Sequence, residues 1–323
     1  MKIAIPEFAH VVLIGTSGSG KSTFARKHFL PTEVLSSDAF RGWVSDDENR
    51  LDISGHAFEA LHFLLAKRLE LGRLTVVDAT NVQREARAPL LKLASEWHAL
   101  KVAIILDTPM NLCTERNASR PDRQFGSHVV RAQRNDLRRT LGQLKSEKWH
   151  KVYVLTPDEI DSVEIVREAI WSRRPNEHGP FDIVGDVHGC LGELHDLLKA
   201  LGWLEVPEWH HPAGRKLVFL GDLVDRGPDS VGVLKLVMSL HERDQAICVP
   251  GNHDVKLSRY LQGQKVQLNH GLAETVQQLD AETQEFRASA ATWIHGLVSH
   301  AVLDDGKLCV AHAGLRESMQ GRG

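Results

Sequence analysis

Residues 15–22 are the most specific chemical motif in this sequence. They match every fixed position of the Walker A pattern, GxxxxGK followed by Ser or Thr, with the apolar run 11–14 before them and a segment able to form a helix after them. Glycines in such a loop let backbone amides wrap phosphates at a helix N-terminus. We therefore predict that Lys21 reaches the β and γ phosphates of ATP or another nucleoside triphosphate and that Ser22 holds Mg²⁺. The predicted nucleotide-binding residues are Gly15, Thr16, Ser17, Gly18, Ser19, Gly20, Lys21 and Ser22.

Two aspartates follow short apolar runs and are candidates for the rest of this site. Asp38 comes after Val34 and Leu35, where a carboxylate at a strand end can accept a proton from an attacking hydroxyl. It can equally cap a helix that begins at Ala39. Asp78 ends the run 74–77 and is predicted to lie near Mg²⁺ or its waters, the alternative being an ordinary strand-end turn residue.

Arginines further along the chain favour a negatively charged substrate. Arg116, Arg120 and Arg123 are spaced for one helical face, which could close over phosphates during transfer or could be a solvated surface, and for Arg123 we favour the surface. The segment 131–139 adds four more arginines: Arg131, Arg134, Arg138 and Arg139. Such a basic surface would suit a polyanionic acceptor.

The second half of the chain contains four segments with the side chains of a metal centre. They are Asp186-Val187-His188-Gly189, Gly221-Asp222-Leu223-Val224-Asp225-Arg226-Gly227, Gly251-Asn252-His253-Asp254 and Ala311-His312-Ala313-Gly314. Carboxylate, imidazole and amide donors suit Mn²⁺ or related divalent ions, and the lack of CxxC pairs disfavours structural zinc. Two such ions could clamp a phosphate and activate water. The alternative for His312 is a core histidine.

Apolar runs alternate with helical patterns in two series, which predicts an α/β fold with parallel sheets in both halves. The predicted strands are 11–14, 74–77, 102–106, 152–155, 181–184, 216–220, 246–249 and 308–311. Charge, two prolines and a glycine mark residues 172–180 as a linker. We predict domains at 1–171 and 181–323.

Composition bounds the class of protein. With 323 residues, 42% hydrophobic and 25% charged residues, the chain should fold as two globular domains, and it has no apolar stretch of membrane-spanning length. Four scattered cysteines fit a reducing cytoplasm and not a disulfide framework. The net charge of −3 means that any nucleic-acid contact must come from a local basic patch.

Residues 1–170 resemble the 5′-OH polynucleotide kinase domain in the Walker A loop, Ser37-Asp38-xx-Arg41, Asp78-Ala79-Thr80-Asn81 and the segment from Arg116. The resemblance implies a P-loop kinase with Asp38 as general base for the 5′-hydroxyl. It also implies that Arg41 contacts the acceptor backbone, that Thr80 and Asn81 bind substrate, and that Arg116 and Arg120 are lid residues over the ATP phosphates.

Residues 181–323 resemble the binuclear metallophosphoesterases, specifically the branch that is similar to protein phosphatases. The resemblance implies Asp186 and His188 on one metal, Asp222 as the bridge, and Asn252 and His312 on the second. It assigns phosphate binding to Arg226 and protonation of the leaving oxygen to His253, paired with Asp254.

That superfamily has a further metal-binding histidine in a later Gly-His segment, and His270, His295 and His300 do not occur in that context. We therefore expect either that this chain is a fragment or that its second metal site is incomplete and its phosphatase activity weak.

Together the two halves resemble bacterial polynucleotide kinase-phosphatases. The resemblance implies RNA end healing, with phosphorylation of a 5′-OH and removal of a 2′,3′-cyclic, 2′- or 3′-phosphate. It also implies an RNA 3′-end methyltransferase as a partner, and a homo-oligomer is compatible with it. No ligase lysine motif is present, so we do not predict sealing.

Two other functions are compatible with these residues. One is a P-loop kinase of a small-molecule acceptor fused to a phosphatase for dinucleoside polyphosphates or phosphoproteins. The other is a non-catalytic module that senses nucleotide.

Overall fold

The computed structural model describes residues 1–119 and 126–322. These residues form two compact units: Met1–Ile170 together with Arg322, and Trp171–Gly321. Each unit has its own apolar core, as expected for separate domains of this length.

Five parallel strands form the central sheet of the first unit, and a separate pair of parallel strands lies in the same unit. Numbered in chain order, the strands are β1 (Lys2–Pro6), β2 (Ala9–Ile14), β3 (Val34–Ser36), β4 (Thr75–Asp78), β5 (Leu100–Leu106), β6 (Lys151–Leu155) and β7 (Glu164–Glu168). The central sheet has the order β3-β4-β2-β5-β6, and β1 pairs with β7. The predicted P-loop strand β2 is therefore the middle strand, and β4 separates it from β3.

Apolar layers cover both faces of this sheet. Along β2, Val11 and Leu13 belong to one core cluster, whereas Val12 and Ile14 belong to the other. This burial on both faces explains why the strand is a continuous apolar run. The helices of the unit are α1 (Lys21–His28), α2 (Ser37–Ser45), α3 (Ser54–Glu70), α4 (Arg84–Glu96), α5 (Met110–Ala118), α6 (Ser127–Gln143) and α7 (Pro157–Ser162).

The second unit contains a three-stranded parallel sheet and an antiparallel strand pair. Its strands are β8 (Phe181–Val184), β9 (Lys216–Phe219), β10 (Ala246–Cys248), β11 (His300–Leu303) and β12 (Leu308–Ala311). The parallel sheet has the order β10-β9-β8, and β11 pairs with β12. The helices are α8 (Leu191–Ala200), α9 (Ser230–Glu242), α10 (Asn252–Leu261), α11 (Leu272–Asp280) and α12 (Gln284–Gly296).

The structure differs from the sequence prediction at the expected linker. Residues 172–180 pack within the second unit: Arg174 donates its backbone N–H to the Val302 carbonyl at 2.8 Å, and Glu177 accepts from Lys216 at 2.7 Å. Charge and proline content thus mark a surface segment here, but backbone hydrogen bonds to β11 fix it in place. Within the described ranges, no helix has the length and apolar character needed to cross a membrane.

Candidate active sites

The Walker A loop connects β2 to α1, with the backbone of Gly18 and Gly20 at φ 81° and 98°. A Cβ atom on Gly18 would collide with the carbonyl oxygen of Cys113, so only glycine fits there. α1 begins at Lys21, directly after Gly20. The loop therefore presents its amides at a helix N-terminus, as the motif predicts.

Two side chains hold this loop. The ammonium of Lys21 donates to the carbonyls of Gly15 and Thr16 at 2.8 and 2.9 Å. The backbone N–H of Ser17 donates to Oε1 of Gln133 on α6 at 2.8 Å. A phosphate in the loop would compete with Gln133 for that N–H. No motif in the sequence points to Gln133, because its place depends on how α6 packs.

One cavity of about 300 Å³ brings the predicted kinase residues together. It is lined by the loop and by residues from the ends of β3 and β4 and from α6, among them Ser17, Lys21, Ser22, Asp38, Arg41, Asp78, Thr80 and Gln133. Burial raises the pKa of Asp78, while Lys21 and a hydrogen bond from Ser22 oppose the rise. The hydroxyl and carboxylate of this pair are hard oxygen donors of the kind that Mg²⁺ prefers.

Asp38 lies in the first turn of α2, after the N-cap residue Ser36, so it is not the N-cap. Its carboxylate is ion-paired with Arg41 and is 35% exposed, whereas the Arg41 side chain is 4% exposed. Arg41 also donates to the carbonyl of Glu48 at 2.7 Å. Arg41 thus fixes the orientation of Asp38 at the cavity wall; its predicted contact with the acceptor stays a prediction.

Asn81 has a different place from the one that the sequence predicts. It is buried, does not line the cavity, and donates its side-chain amide to the carbonyl of Leu13 at 2.9 Å. Its backbone φ of 49° turns it from Thr80, which does line the cavity, toward the end of β2. Asn81 therefore ties two strand ends together, and we do not assign it a substrate contact.

Arg87 on α4 holds the loop that contains Asn81. It is fully buried, donates to the Asn81 carbonyl at 2.8 Å and to the Thr140 hydroxyl at 3.1 Å, and forms an ion pair with both oxygens of buried Glu147. Thr140 is part of α6. The cavity loop after β4 is thereby tied to the helix that carries Gln133.

Arg116 lies in the last turn of α5, close to Gly20. It lines a second cavity of about 380 Å³ together with Gly18, Thr23 and Lys27. Its side chain therefore stands beside the loop that should hold the phosphates. Arg120 and Arg123 lie outside the described residues, so their predicted positions remain predictions.

In the second unit, the predicted metal ligands converge on Asp222. Oδ2 of Asp222 lies 3.8 Å from Nε2 of His188 and 3.5 Å from Nε2 of His312. Asp186 approaches the same two histidines, at 3.8 and 3.9 Å. Asp222 therefore occupies the central position that a bridging ligand requires.

The unused nitrogen atoms indicate that cations fit here. His188 donates from Nδ1 to the Val224 carbonyl at 3.0 Å, which leaves Nε2 as the free donor atom. That Nε2 is buried and makes no hydrogen bond within the described ranges, although carboxylates flank it. A divalent ion at this position would accept the electron pair of Nε2 and balance the charge of the carboxylates.

His312 is oriented in the same way. Its Nδ1 donates to the Leu220 carbonyl at 2.8 Å, and its Nε2 lies 3.2 Å from Oδ1 of Asn252. In the neutral tautomer both of these facing atoms are electron-pair donors, and a cation between them would relieve their repulsion. In the described part of the chain, the cluster of Asp186, Asp222 and His312 contains no second histidine.

His253 has a different partner from the predicted one. Its Nδ1 lies 2.7 Å from Oδ2 of Asp225, which is fully buried. Asp254 instead accepts the backbone N–H groups of Leu223 and Gly251 at 3.0 and 2.8 Å. The pairing of His253 with Asp254 is therefore wrong, because the Asp254 carboxylate serves the backbone of neighbouring loops.

Several hydrogen bonds fix Asp225 beneath this site. The hydroxyl of Thr275 on α11 donates to Oδ1 of Asp225 at 2.7 Å. The backbone N–H of Asp225 donates to the Ser230 hydroxyl at 3.0 Å. The next residue, Arg226, lies 3.3 Å from Nε2 of His253. Asp225 and Arg226 have φ values of 72° and 68°, a backbone conformation that side-chain-bearing residues rarely adopt. Such strain is typical of functional sites.

Family comparisons assign each half of the chain separately. The family described as AAA domain matches residues 11–144, and the family described as calcineurin-like phosphoesterase matches residues 179–319. The two matches contain, respectively, the Walker A loop and all the residues that converge on Asp222.

Among curated proteins, the chain is similar to the asymmetrical bis(5′-nucleosyl)-tetraphosphatase PrpE of several bacteria. The protein of Anoxybacillus flavithermus is 44% identical over 149 residues, which are 44% of this chain and 60% of that protein. The protein of Halalkalibacterium halodurans is 45% identical over 142 residues, 42% of this chain and 58% of that protein. This chain thus spans about 60% of the length of these relatives.

Among solved structures, the Pnkp1/Rnl/Hen1 RNA repair complex matches 78% of this chain and 73% of its own, with 16% identity and a TM-score of 0.38. The site geometry and the two family matches together lead to one conclusion. The chain consists of a P-loop kinase-like domain built on a parallel sheet, followed by a calcineurin-like metallophosphoesterase domain.

Proposed function

We propose that the second domain hydrolyses a phosphoanhydride bond in nucleoside polyphosphates, with dinucleoside tetraphosphates as substrates. The observation that carries this proposal is the cluster around Asp222 with Arg226 and the Asp225–His253 pair beside it. The relatives named as tetraphosphatases support the substrate class. The sequence alone favours RNA end healing and offers this substrate class as an alternative.

The residues divide the work of hydrolysis. Asp186, His188, Asp222, Asn252 and His312 would hold a pair of divalent cations, which supply charge neutralisation and activate water. Arg226 binds the phosphoryl oxygens. As the water oxygen bonds to phosphorus and the P–O–P bond breaks, His253 gives its Nε2 proton to the leaving phosphate oxygen, while Asp225 holds the ring.

The first test is the product pattern of the whole chain with diadenosine tetraphosphate and Mn²⁺. Asymmetrical cleavage gives one nucleoside triphosphate and one monophosphate, and ¹⁸O from labelled water enters one of them. His253→Asn should lower kcat on the order of 100-fold or more, the usual contribution of a general acid. Turnover of phosphopeptides with no turnover of the tetraphosphate would overturn the proposal.

For the first domain we propose transfer of the γ-phosphoryl group of ATP to a hydroxyl. Lys21 and the loop amides bind the phosphates, and Ser22 with Asp78 would hold Mg²⁺. Asp38, held by Arg41, takes the proton of the attacking hydroxyl, and Arg116 stabilises the charge that develops on the phosphates.

A second candidate function is RNA end healing by both domains. The observation that favours it is the exposed arginines of α6, Arg131 and Arg138, on the helix that also supplies Gln133 to the kinase cavity. Such a face suits a polynucleotide acceptor. In this case the second domain would act on 2′,3′-cyclic, 2′- or 3′-phosphate ends.

One assay separates the two kinase acceptors. The whole chain is given γ-labelled ATP with either a 5′-OH oligoribonucleotide or a mixture of nucleosides. Label on the oligonucleotide supports end healing, and label on nucleosides alone would exclude it.

The same assay tests Asp38. Asp38→Asn should abolish transfer to whichever acceptor is used and leave ATP binding intact. Asp46→Asn, at the left-handed C-cap of the same helix, is the matched control and should transfer at the wild-type rate. An unchanged rate in Asp38→Asn would defeat the general-base role.

A further inference from the structure

A cavity of about 870 Å³ opens next to the metal centre of the second unit. Asn252 and His312, two of the five predicted metal ligands, form part of its wall. A substrate whose reacting phosphate lies at the metals therefore has room for a second part in this cavity. The volume is within the range of small-molecule sites, roughly 300–1,000 Å³.

The charge of this cavity is one-sided. Three cations line it, Lys256 and Arg259 from α10 and Lys265 from the loop after it, and none of its lining residues within the described ranges is acidic. Such a wall attracts several negative charges and disfavours a neutral or positively charged chain.

The three cations do not have the same role. Lys256 donates to the backbone carbonyl of Asn269 at 3.1 Å, and Arg259 donates to Oε1 of Gln264 at 3.1 Å, so both hold the loop. Lys265 is exposed and has neither a hydrogen bond nor an ion pair within the described part of the chain. Its ammonium is thus available to a ligand.

The remaining lining residues add an apolar patch and amides. Val255, Val266 and Leu315 provide the apolar surface, and Gln267 and Asn269 provide hydrogen-bonding groups. Cations for phosphates, beside an apolar patch with amides for a base, match the parts of a nucleotide. A protein substrate would place uncharged peptide against these cations.

We propose that this cavity binds the longer, triphosphate-bearing arm of a dinucleoside tetraphosphate, with Lys265 on its phosphates. The inference rests on the proposed phosphoanhydride hydrolase. It adds a reason for asymmetrical cleavage: the cationic wall lies on one side of the metals, so three of the four phosphates extend into the cavity. The scissile bond then lies between the first and second phosphates counted from the other nucleoside.

Turnover gives the first test. Lys265→Gln should raise KM for diadenosine tetraphosphate roughly five- to tenfold, the effect expected for loss of one charge-assisted contact. It should leave kcat unchanged, and kcat/KM for p-nitrophenyl phosphate, which has no second phosphate, should also stay the same. Lys265→Arg should restore the KM. The control is Lys307→Gln, an exposed lysine outside the cavity, which should match the wild type.

A binding measurement is the second test, and it tests the role of the cavity independently of the hydrolase activity. The whole chain with Mn²⁺ is titrated with a non-hydrolysable methylene analogue of the dinucleoside tetraphosphate. Weaker binding by Lys265→Gln, even if the wild type does not hydrolyse the tetraphosphate, supports the cavity and rejects only the hydrolase. If the wild type and Lys265→Gln hydrolyse the tetraphosphate with equal KM, the role of the cavity is rejected and the hydrolase activity stands. An equal loss of affinity for a 3′-phosphorylated oligoribonucleotide, or no binding of the analogue, overturns the inference.

Discussion

At the scale of single residues, Asp225 shows what a local motif leaves open. Its carboxylate lies 2.7 Å from Nδ1 of His253, although the two residues are on different elements. The resemblance to the metallophosphoesterases implied Asp254 as the partner, but neighbouring residues on a helix do not face each other. The residue types of the metal centre could be predicted from the four motifs. The hydrogen-bond partner could not, because it depends on tertiary packing against α11.

We expect Asp225→Asn to lower phosphatase kcat roughly 100-fold, because a neutral amide does not stabilise the protonated ring of His253 as the carboxylate does. The measurement compares p-nitrophenyl phosphate with phenyl phosphate. Phenolate needs a proton more than nitrophenolate does, so the loss should be larger for phenyl phosphate. Equal losses for both substrates would show that Asp225 does not act through the leaving-group proton.

Gln133 leads to a prediction for the kinase site. Its Oε1 accepts the hydrogen bond from the Ser17 N–H, which a phosphate of ATP should accept instead. Gln133→Leu should therefore tighten ATP binding roughly two- to tenfold, the range for removal of one competing hydrogen bond. Calorimetry with Asp136→Asn as the control on the same helix tests this. Weaker binding in Gln133→Leu would mean that Gln133 instead contacts the nucleotide.

At the scale of elements, the strands that could be predicted are those with a clear run of apolar residues, whether fully buried like β2 or partly exposed like β6. The eight predicted strands all occur, within two residues of the expected ends. β1, β7 and β11 were not predicted, and β3 was indicated only by the apolar step at Val34 and Leu35 before Asp38. β7 has the sequence Glu-Ile-Val-Arg-Glu with partly exposed residues throughout, and its pairing with β1 joins opposite ends of the unit. A short, half-exposed strand such as β7 gives little apolar signal, and pairing between distant segments leaves no local pattern in the sequence. Neither reason applies to β11, a fully buried strand of four residues that pairs with the next strand, β12.

The Arg87–Glu147 pair joins α4 to the segment that follows α6. Breaking this pair should lower the stability of the first unit. Arg87→Met removes one charge and leaves Glu147 buried without its partner, so the first unit should lose about 3–5 kcal/mol in free energy of unfolding. Arg87→Met combined with Glu147→Met should recover most of this loss, since no uncompensated charge remains. Urea unfolding of both variants is the measurement. A double variant as unstable as the single one would contradict the prediction.

At the scale of the whole molecule, a buried histidine links stability to pH. Burial lowers the pKa of His10 in β2 to about 4. The backbone of Thr75 raises this pKa, and the nearby His62 lowers it further. The unfolded chain, with a pKa near 6.5, binds more protons than the folded one between these values. Stability is therefore full above pH 6.5 and falls as the pH decreases toward 4.

From these two pKa values, His10 should cost the first unit about 2 kcal/mol between pH 7.5 and pH 5. His10→Leu should remove that part of the pH dependence. Thermal unfolding at the two pH values measures it, and the transition of the second unit is the internal control. The same pH dependence in His10→Leu would show that another group is responsible.

The pairing of β1 with β7 also bears on how the chain is made. Ile3 and Ile5 of β1 are fully buried in the folded unit, but their strand partner, Glu164–Glu168, is synthesised near the end of that unit. At about 5–20 residues per second, β1 leaves the ribosome roughly ten to thirty seconds before β7 exists. During this interval an apolar strand stays unpaired, so the nascent first unit offers a binding site for a chaperone until its last strand emerges.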